Sequence, residues 1–280
     1  MTAKVDEKTI LTLLEDKDVV TADGAMRLVL DEMEDPGAFV AQHQDDDNFL
    51  IRKRMQQISY QLYHRHVYDE FVSGFRSKKM SFWDGIFKMS ILSDGRINDE
   101  FLQQMVDKYF GIILGDFQPG TKLSTKELLK LVNESSLHVP HGFDFFQLFN
   151  LFLPDIFEDG GACHPLVLCE IVRQMGIRVG WYASIVIFNG MYMLNTPEGK
   201  IISPDREWNV LSSVTDRQCH TCSNEELLKI YLCLVHVMSI VSRRPIGVYY
   251  SSKLLSDVMR TKMKDMVYPI GIVKNFKTKS

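Results

Sequence analysis

The chain has 280 residues, 45% of them hydrophobic and 24% charged, so it can bury one large core or two modest ones, and its composition excludes a disordered or low-complexity polypeptide. Its net charge of −4 gives no overall bias toward polyanions, and five cysteines, an odd number, fit free thiols in a reducing compartment better than a disulfide framework. No apolar run is long enough to span a bilayer, and Met1 to Ile10 carries charges where an apolar leader core would stand, so a soluble, cytoplasmic protein is expected.

The charge is unevenly spread. Residues 1–47 hold 13 acids against 4 bases, while residues 251–280 hold 7 bases against 2 acids. Within the acidic head, Thr9 to Glu15 and Ala22 to Met33 place apolar residues at helical spacing on either side of the turn Asp16-Lys17-Asp18. This pair resembles one HEAT-type repeat, a unit that must stack on a neighbour to bury its face.

A longer helix is expected from about Phe49 to Phe71. Its Arg52, Lys53, Arg54 and Arg65 alternate with Tyr60, Tyr63 and Tyr68, a composition that nucleic-acid binding would use. Asp69 and Glu70 dilute the charge, and the rings fall on one helical face, so an internal stripe is the preferred reading and no nucleic-acid role is assigned. His64 and His66, two apart, point away from each other on a helix and form no metal pair.

Further helices are expected over Met80 to Leu92, over Asn98 to Phe110 with Phe101 and Met105 facing inward, and after the capping box at Ser124 and Glu127. Gln118-Pro119-Gly120 breaks the chain between them. Phe143 to Leu153 is dense in Phe and Leu and is expected to be buried. A helix opening at Pro165 and closing at Met175-Gly176 should precede a strand over Ile177 to Ile187. Asn189-Gly190 then signals a hairpin, Met191 to Leu194 returns, and Lys200 to Ser203 adds a third strand. Glu225 to Val241 reads as a helix buried on most sides, with a capping box at Ser223 and a stop at Pro245. Beyond it a basic segment is expected, fraying from Lys274 to Ser280.

The chemistry centres on Cys163. A thiol at a helix mouth is activated by the partial positive charge and unpaired N–H groups there, and Gly160-Gly161 before it permits close approach. Cys169, six residues on, is rotated away and reads as a small core residue. Cys219-His220-Thr221-Cys222 has the spacing of half a zinc site or of a redox motif, but two further ligands, or a preceding strand, would be needed. Ordinary loop cysteines are the preferred reading. No cofactor or metal is expected.

Cys163 and the apolar helix ending in Arg173-Gln174-Met175-Gly176-Ile177-Arg178-Val179 resemble the core of the transglutaminase-like superfamily, and more narrowly its bacterial SirB-type branch. Phe82-Trp83-Asp84-Gly85 through Asp107 is similar to the helical segment before that core. The resemblance spans residues 80–210 and implies an α+β protein: a helical N-terminal part (1–142), a papain-like core (143–250) with a small antiparallel sheet, and a basic C-terminal segment (251–280). It also implies a Cys-His-Asp triad. Cys163 matches the nucleophile and Asp205 lies near the acid, but the strand that would bear the histidine reads Ile185 to Tyr192, with Asn189 near the missing position.

The expected function is therefore a non-catalytic module that binds or regulates a protein partner. The alternative is a cysteine-dependent amide hydrolase or acyl-transferase that recruits His138, His141, His164, His220 or His236 from outside the family position.

Overall fold

The computed structural model describes residues 6–115, 122–158, 160–204, 208–211 and 214–265. The chain forms two compact units, residues 1–69 and 70–280, each described by itself.

In the first unit, α1 (Glu7–Leu14) and α2 (Val19–Glu32) pack on each other, followed by α3 (Pro36–His43) and the first part of α4 (Phe49–Arg76). The Asp16-Lys17-Asp18 turn works as a cap: the Asp18 carboxylate accepts from the Val20 and Thr21 N–H groups, which α2 would otherwise leave unpaired. Asp35 does the same for α3, accepting from Ala38 N at 2.9 Å, with Pro36 in the first turn where no donor is needed. The capped helices close over a core of Leu14, Ala25, Val29, Met55 and Ile58.

Two arginines of α4 bind inside this unit. Arg65 donates to the Leu30 carbonyl at 2.8 Å and to Asp31 at 2.7 Å, while Arg52 holds the carbonyls of Asp46 and Asp47 at 2.6 and 2.9 Å. Cations that the sequence offers to phosphates are thus partly engaged with their own backbone.

The second unit begins within α4 and continues through α5 (Phe82–Ser93), α6 (Asp99–Leu114), α7 (Thr125–Glu134), two short 3-10 turns (Gly142–Phe146 and Leu148–Leu151) and α8 (Leu153–Glu158). Then come α9 (Pro165–Arg178), β1 (Ser184–Phe188), β2 (Met191–Asn195), β3 (Ile201–Ile202), β4 (His220–Thr221), α10 (Asn224–Val241) and α11 (Pro245–Met259). The fold is a mixture of helices with one small antiparallel sheet, in the order β3-β2-β1-β4. Its register pairs Ile187 with both Tyr192 and His220, so those three side chains share a face.

Helix α9 packs on β2 and β1 and is buried from Pro165 to Val172. Val186, Met193 and Ile201 form a separate cluster on the opposite face of the sheet, covered by Leu211, Val214 and Cys219.

Several local expectations change in the structure. Ile177 and Arg178 are helical, and the strand begins only at Ser184. Gly176 does not end α9. Gly180, at φ +69°, does, with Gly180 N bonded to Ile177 O at 3.3 Å and Trp181 N to Gly176 O at 2.8 Å, the two bonds of a Schellman closure. Gly176 is instead where Trp181 lies on the helix, since a Cβ there would stand 2.3 Å from the indole.

On α6 the inward stripe is Leu102, Val106 and Phe110, one residue on from the expected one, and Phe101 is half exposed. Phe143, expected to be buried, is 91% exposed, because the turn Gly142–Phe146 is a surface 3-10 segment; burial begins at Leu148. Pro245 both stops α10 and opens α11, so residues 245–259 are helix, with Leu254, Leu255 and Val258 buried. The break at Gln118 to Gly120 and the tail from 266 lie outside the described residues.

Candidate functional site

The entry to α9 is built by a short run of extended backbone. Gly161 N bonds Ile156 O at 2.9 Å, His138 N bonds Gly161 O at 3.0 Å, Cys163 N bonds His138 O at 2.9 Å, and His164 N bonds Asn150 O at 3.0 Å. Gly161 is required here. It sits at φ +83°, and a Cβ would lie 2.5 Å from the Ser136 carbonyl oxygen. The close approach that Gly160-Gly161 suggests is therefore an approach of two backbones, fixing where Cys163 and His164 enter the helix.

The helix cap is His164, not Cys163. Its backbone is extended, and Nδ1 accepts from Leu166 N at 3.2 Å, so that nitrogen carries no proton and the ring is neutral. The imidazole lies between Phe145 and Tyr192, with centroids 5.2 and 5.7 Å away, and burial pushes its pKa down to about 4.

Cys163, one residue earlier, falls short of the free N–H groups that would stabilise a thiolate. Its Sγ is fully buried and donates to the carbonyl of His164 at 3.6 Å, which presents the negative end of a dipole to the sulfur. That carbonyl also accepts the first bond of α9 from Leu168 N at 2.9 Å. Loss of solvation pushes the Cys163 thiol well above its ordinary value. Cys163 is part of the buried core, as is Tyr231 of α10. Tyr231 is itself buried, its hydroxyl donating to Leu151 O at 2.8 Å.

Among the described residues Sγ makes no hydrogen bond to an imidazole. His138 is exposed and its Nδ1 meets Ser136 O at 2.9 Å; His220 meets Glu226 at 3.1 Å; His236 meets Ser251 Oγ at 2.9 Å; and His141 is exposed. Asn189 is exposed in the β1–β2 turn at φ +49°, where its role is to turn the chain with Gly190. Asp205 lies outside the described residues.

The Cys219–Cys222 motif forms the edge strand β4. Cys219 packs with the Val186 cluster on one side of the sheet. Cys222, whose N–H continues the ladder to Ile185 O at 3.2 Å, falls with His220 on the other by strand alternation. Opposite faces do not suit a shared metal or a disulfide, and among the described residues no group of three or more His, Cys, Asp or Glu is placed to hold a metal ion. Burial raises both thiols, with Asp216 and Glu226 adding to the effect.

Sequence reasoning missed one buried charge on α9. Glu170 is fully enclosed and is held by Arg173 through Nε and an Nη at 2.8 and 2.7 Å and by Gln174 at 2.7 Å. The i, i+3, i+4 spacing of Glu170, Arg173 and Gln174 was the available signal. Desolvation raises the Glu170 pKa in spite of the guanidinium.

No helix among the described residues is long and apolar enough to cross a membrane. Comparison with protein-family models, curated proteins and solved structures finds no match for this chain.

Proposed function

We propose that this chain is a non-catalytic protein-binding or regulatory module, cytoplasmic, built on a transglutaminase-like core of the SirB type. The observation that carries the first half is the state of Cys163: enclosed, bonded to a carbonyl, and pushed up in pKa by burial. A thiol at that position stays protonated near neutral pH, and the protonated form is a poor nucleophile. The imidazole beside it in sequence is occupied as a helix cap and is neutral. Support for the second half is the packing of a buried helix, opening just after Cys163, on a small antiparallel sheet. In this reading the helix mouth keeps the form of a thiol site and serves to brace the fold.

The test is acyl transfer. Incubation with p-nitrophenyl acetate at pH 7.5 should give no burst of p-nitrophenolate and no acetylated Cys163 peptide by mass mapping, although exposed Cys233 can label slowly. A burst, in which a Cys163 Sγ–C bond forms as the ester C–O bond breaks, would restore the thiol-enzyme alternative.

A further inference from the structure

Arg54 of α4 lies where the buried stripe of the helix meets a half-buried one: Ile51 and Ile58, a turn before and a turn after it, belong to the core of the first unit, and Gln57 is partly exposed. Only 9% of Arg54 is exposed, and a guanidinium stays charged across the working pH range. Its one hydrogen bond among the described residues runs from Nη1 to the neutral Oε1 of Gln57 at 3.0 Å. Nε is enclosed and has no partner; Nη2 makes no bond either, but is not enclosed. Acids are plentiful in this unit, since residues 1–47 hold 13 of them and Asp45, Asp46 and Asp47 lead into the helix, yet none pairs with Arg54.

The two vacant nitrogens form a set. Nε and Nη2 make up the edge of a guanidinium that binds both oxygens of a carboxylate at once. Elsewhere in this chain the same edge is filled. Arg173 donates from Nε and Nη2 to Glu170 at 2.8 and 2.7 Å, and Arg96 from Nε and Nη2 to Asp94 at 3.0 and 2.7 Å. In Arg54 that edge is empty, although this cation is enclosed and buried charges are as a rule paired, because an unpaired one is costly.

We propose that the Nε–Nη2 edge of Arg54 is a receptor for one carboxylate group supplied from outside the chain. A carboxylate fits better than a phosphate dianion, which calls for more than one cation. The neighbouring cations are committed or turned away: Arg52 holds the carbonyls of Asp46 and Asp47, Arg65 pairs with Asp31, and exposed Lys53 stands about 100° round the helix. A small carboxylic acid and a Glu or Asp side chain of a partner protein present the same two oxygens. The inference does not use Cys163 and stands whatever the state of that thiol.

The test labels the arginines of the full chain with ¹⁵N and follows their Nε–H signals in HEPES at pH 7 while sodium acetate replaces sodium chloride at constant ionic strength. The Arg54 signal, identified by its loss in Arg54→Lys and in Arg54→Met, should move downfield saturably with acetate and less with phosphate. Acetate should also raise the urea midpoint of the wild type relative to chloride and leave that of Arg54→Lys, which keeps the charge but loses the fork, unchanged. An Arg54 signal that acetate does not move, that chloride moves as much, or that phosphate moves more would overturn the proposal. So would a gain in urea midpoint that survives in either variant; if neither variant folds, the wild-type signal alone decides. A capped Gly-Glu-Gly peptide separates the sources: binding tighter than acetate assigns the carboxylate to a partner protein, and no gain over acetate assigns it to a small acid.

Discussion

His164 caps α9 with Nδ1, and a cap of that kind works only while the nitrogen is unprotonated. Acid therefore acts on the helix entry through one residue. The folded-state pKa is about 4, against 6.5 for a free imidazole, so between those values the unfolded chain binds the extra proton and stability falls as pH falls. The component is fully present above about pH 6.5 and gone by about pH 4, and is worth about 3 kcal/mol. His164→Asn keeps a capping oxygen without the titration. Its urea stability should drop by about 2–3 kcal/mol less than wild type between pH 7 and pH 4, and parallel losses in the two proteins would contradict this. None of this was legible in the sequence, where His164 read as a possible base, because the choice of cap depends on the bridge that holds Cys163 one residue short of the helix.

At the scale of elements, what depends on neighbours in sequence was legible and what depends on packing was not. The capping boxes at Ser124 and Ser223 form as read, and so does the Asn189-Gly190 hairpin. The end of α9 was misplaced because Gly176 looks like a terminator in sequence, whereas the structure needs it for Trp181 and leaves termination to Gly180. The exposure of Phe143 and the two-faced placement of Cys219 and Cys222 are likewise tertiary facts. Two substitutions test how α9 is held. Arg173→Met leaves a buried carboxylate with only Gln174, and should cost about 3–5 kcal/mol in denaturant unfolding. Gly161→Ala meets both a left-handed backbone and the Ser136 carbonyl, and should cost roughly 1–3 kcal/mol or more. Losses under 1 kcal/mol in either would mean that the entry and the ion pair do not support the helix.

For the molecule as a whole, the sequence indicated α-helices followed by a small antiparallel sheet, and that arrangement is present. The reading of the sequence set a boundary at 142, between a helical part and the part that holds the sheet. The change at 142 is one of secondary-structure type, while compactness divides at residue 69, inside a continuous helix that periodicity alone cannot partition. One consequence concerns the acidic head. Residues 1–47 supply Leu14, Ala25, Val29 and Phe39 to a core that they share with Ile51, Met55 and Ile58 of α4. Deleting them uncovers that apolar face, so the truncated chain should self-associate in light scattering and bind an apolar dye; a monomer with wild-type dye binding would show that the head is dispensable.

The central claim is that the Cys163 thiol is a buried part of the fold and not a nucleophile, and native alkylation by iodoacetamide, followed at that one peptide from pH 6 to 10, tests it most directly. The expected result is a rate at least a hundredfold below that of the unfolded chain at every pH, with no inflection below about 8.5, the free-thiol value. A rate matching or exceeding the unfolded chain at pH 7, or an inflection between 5 and 7, would contradict it.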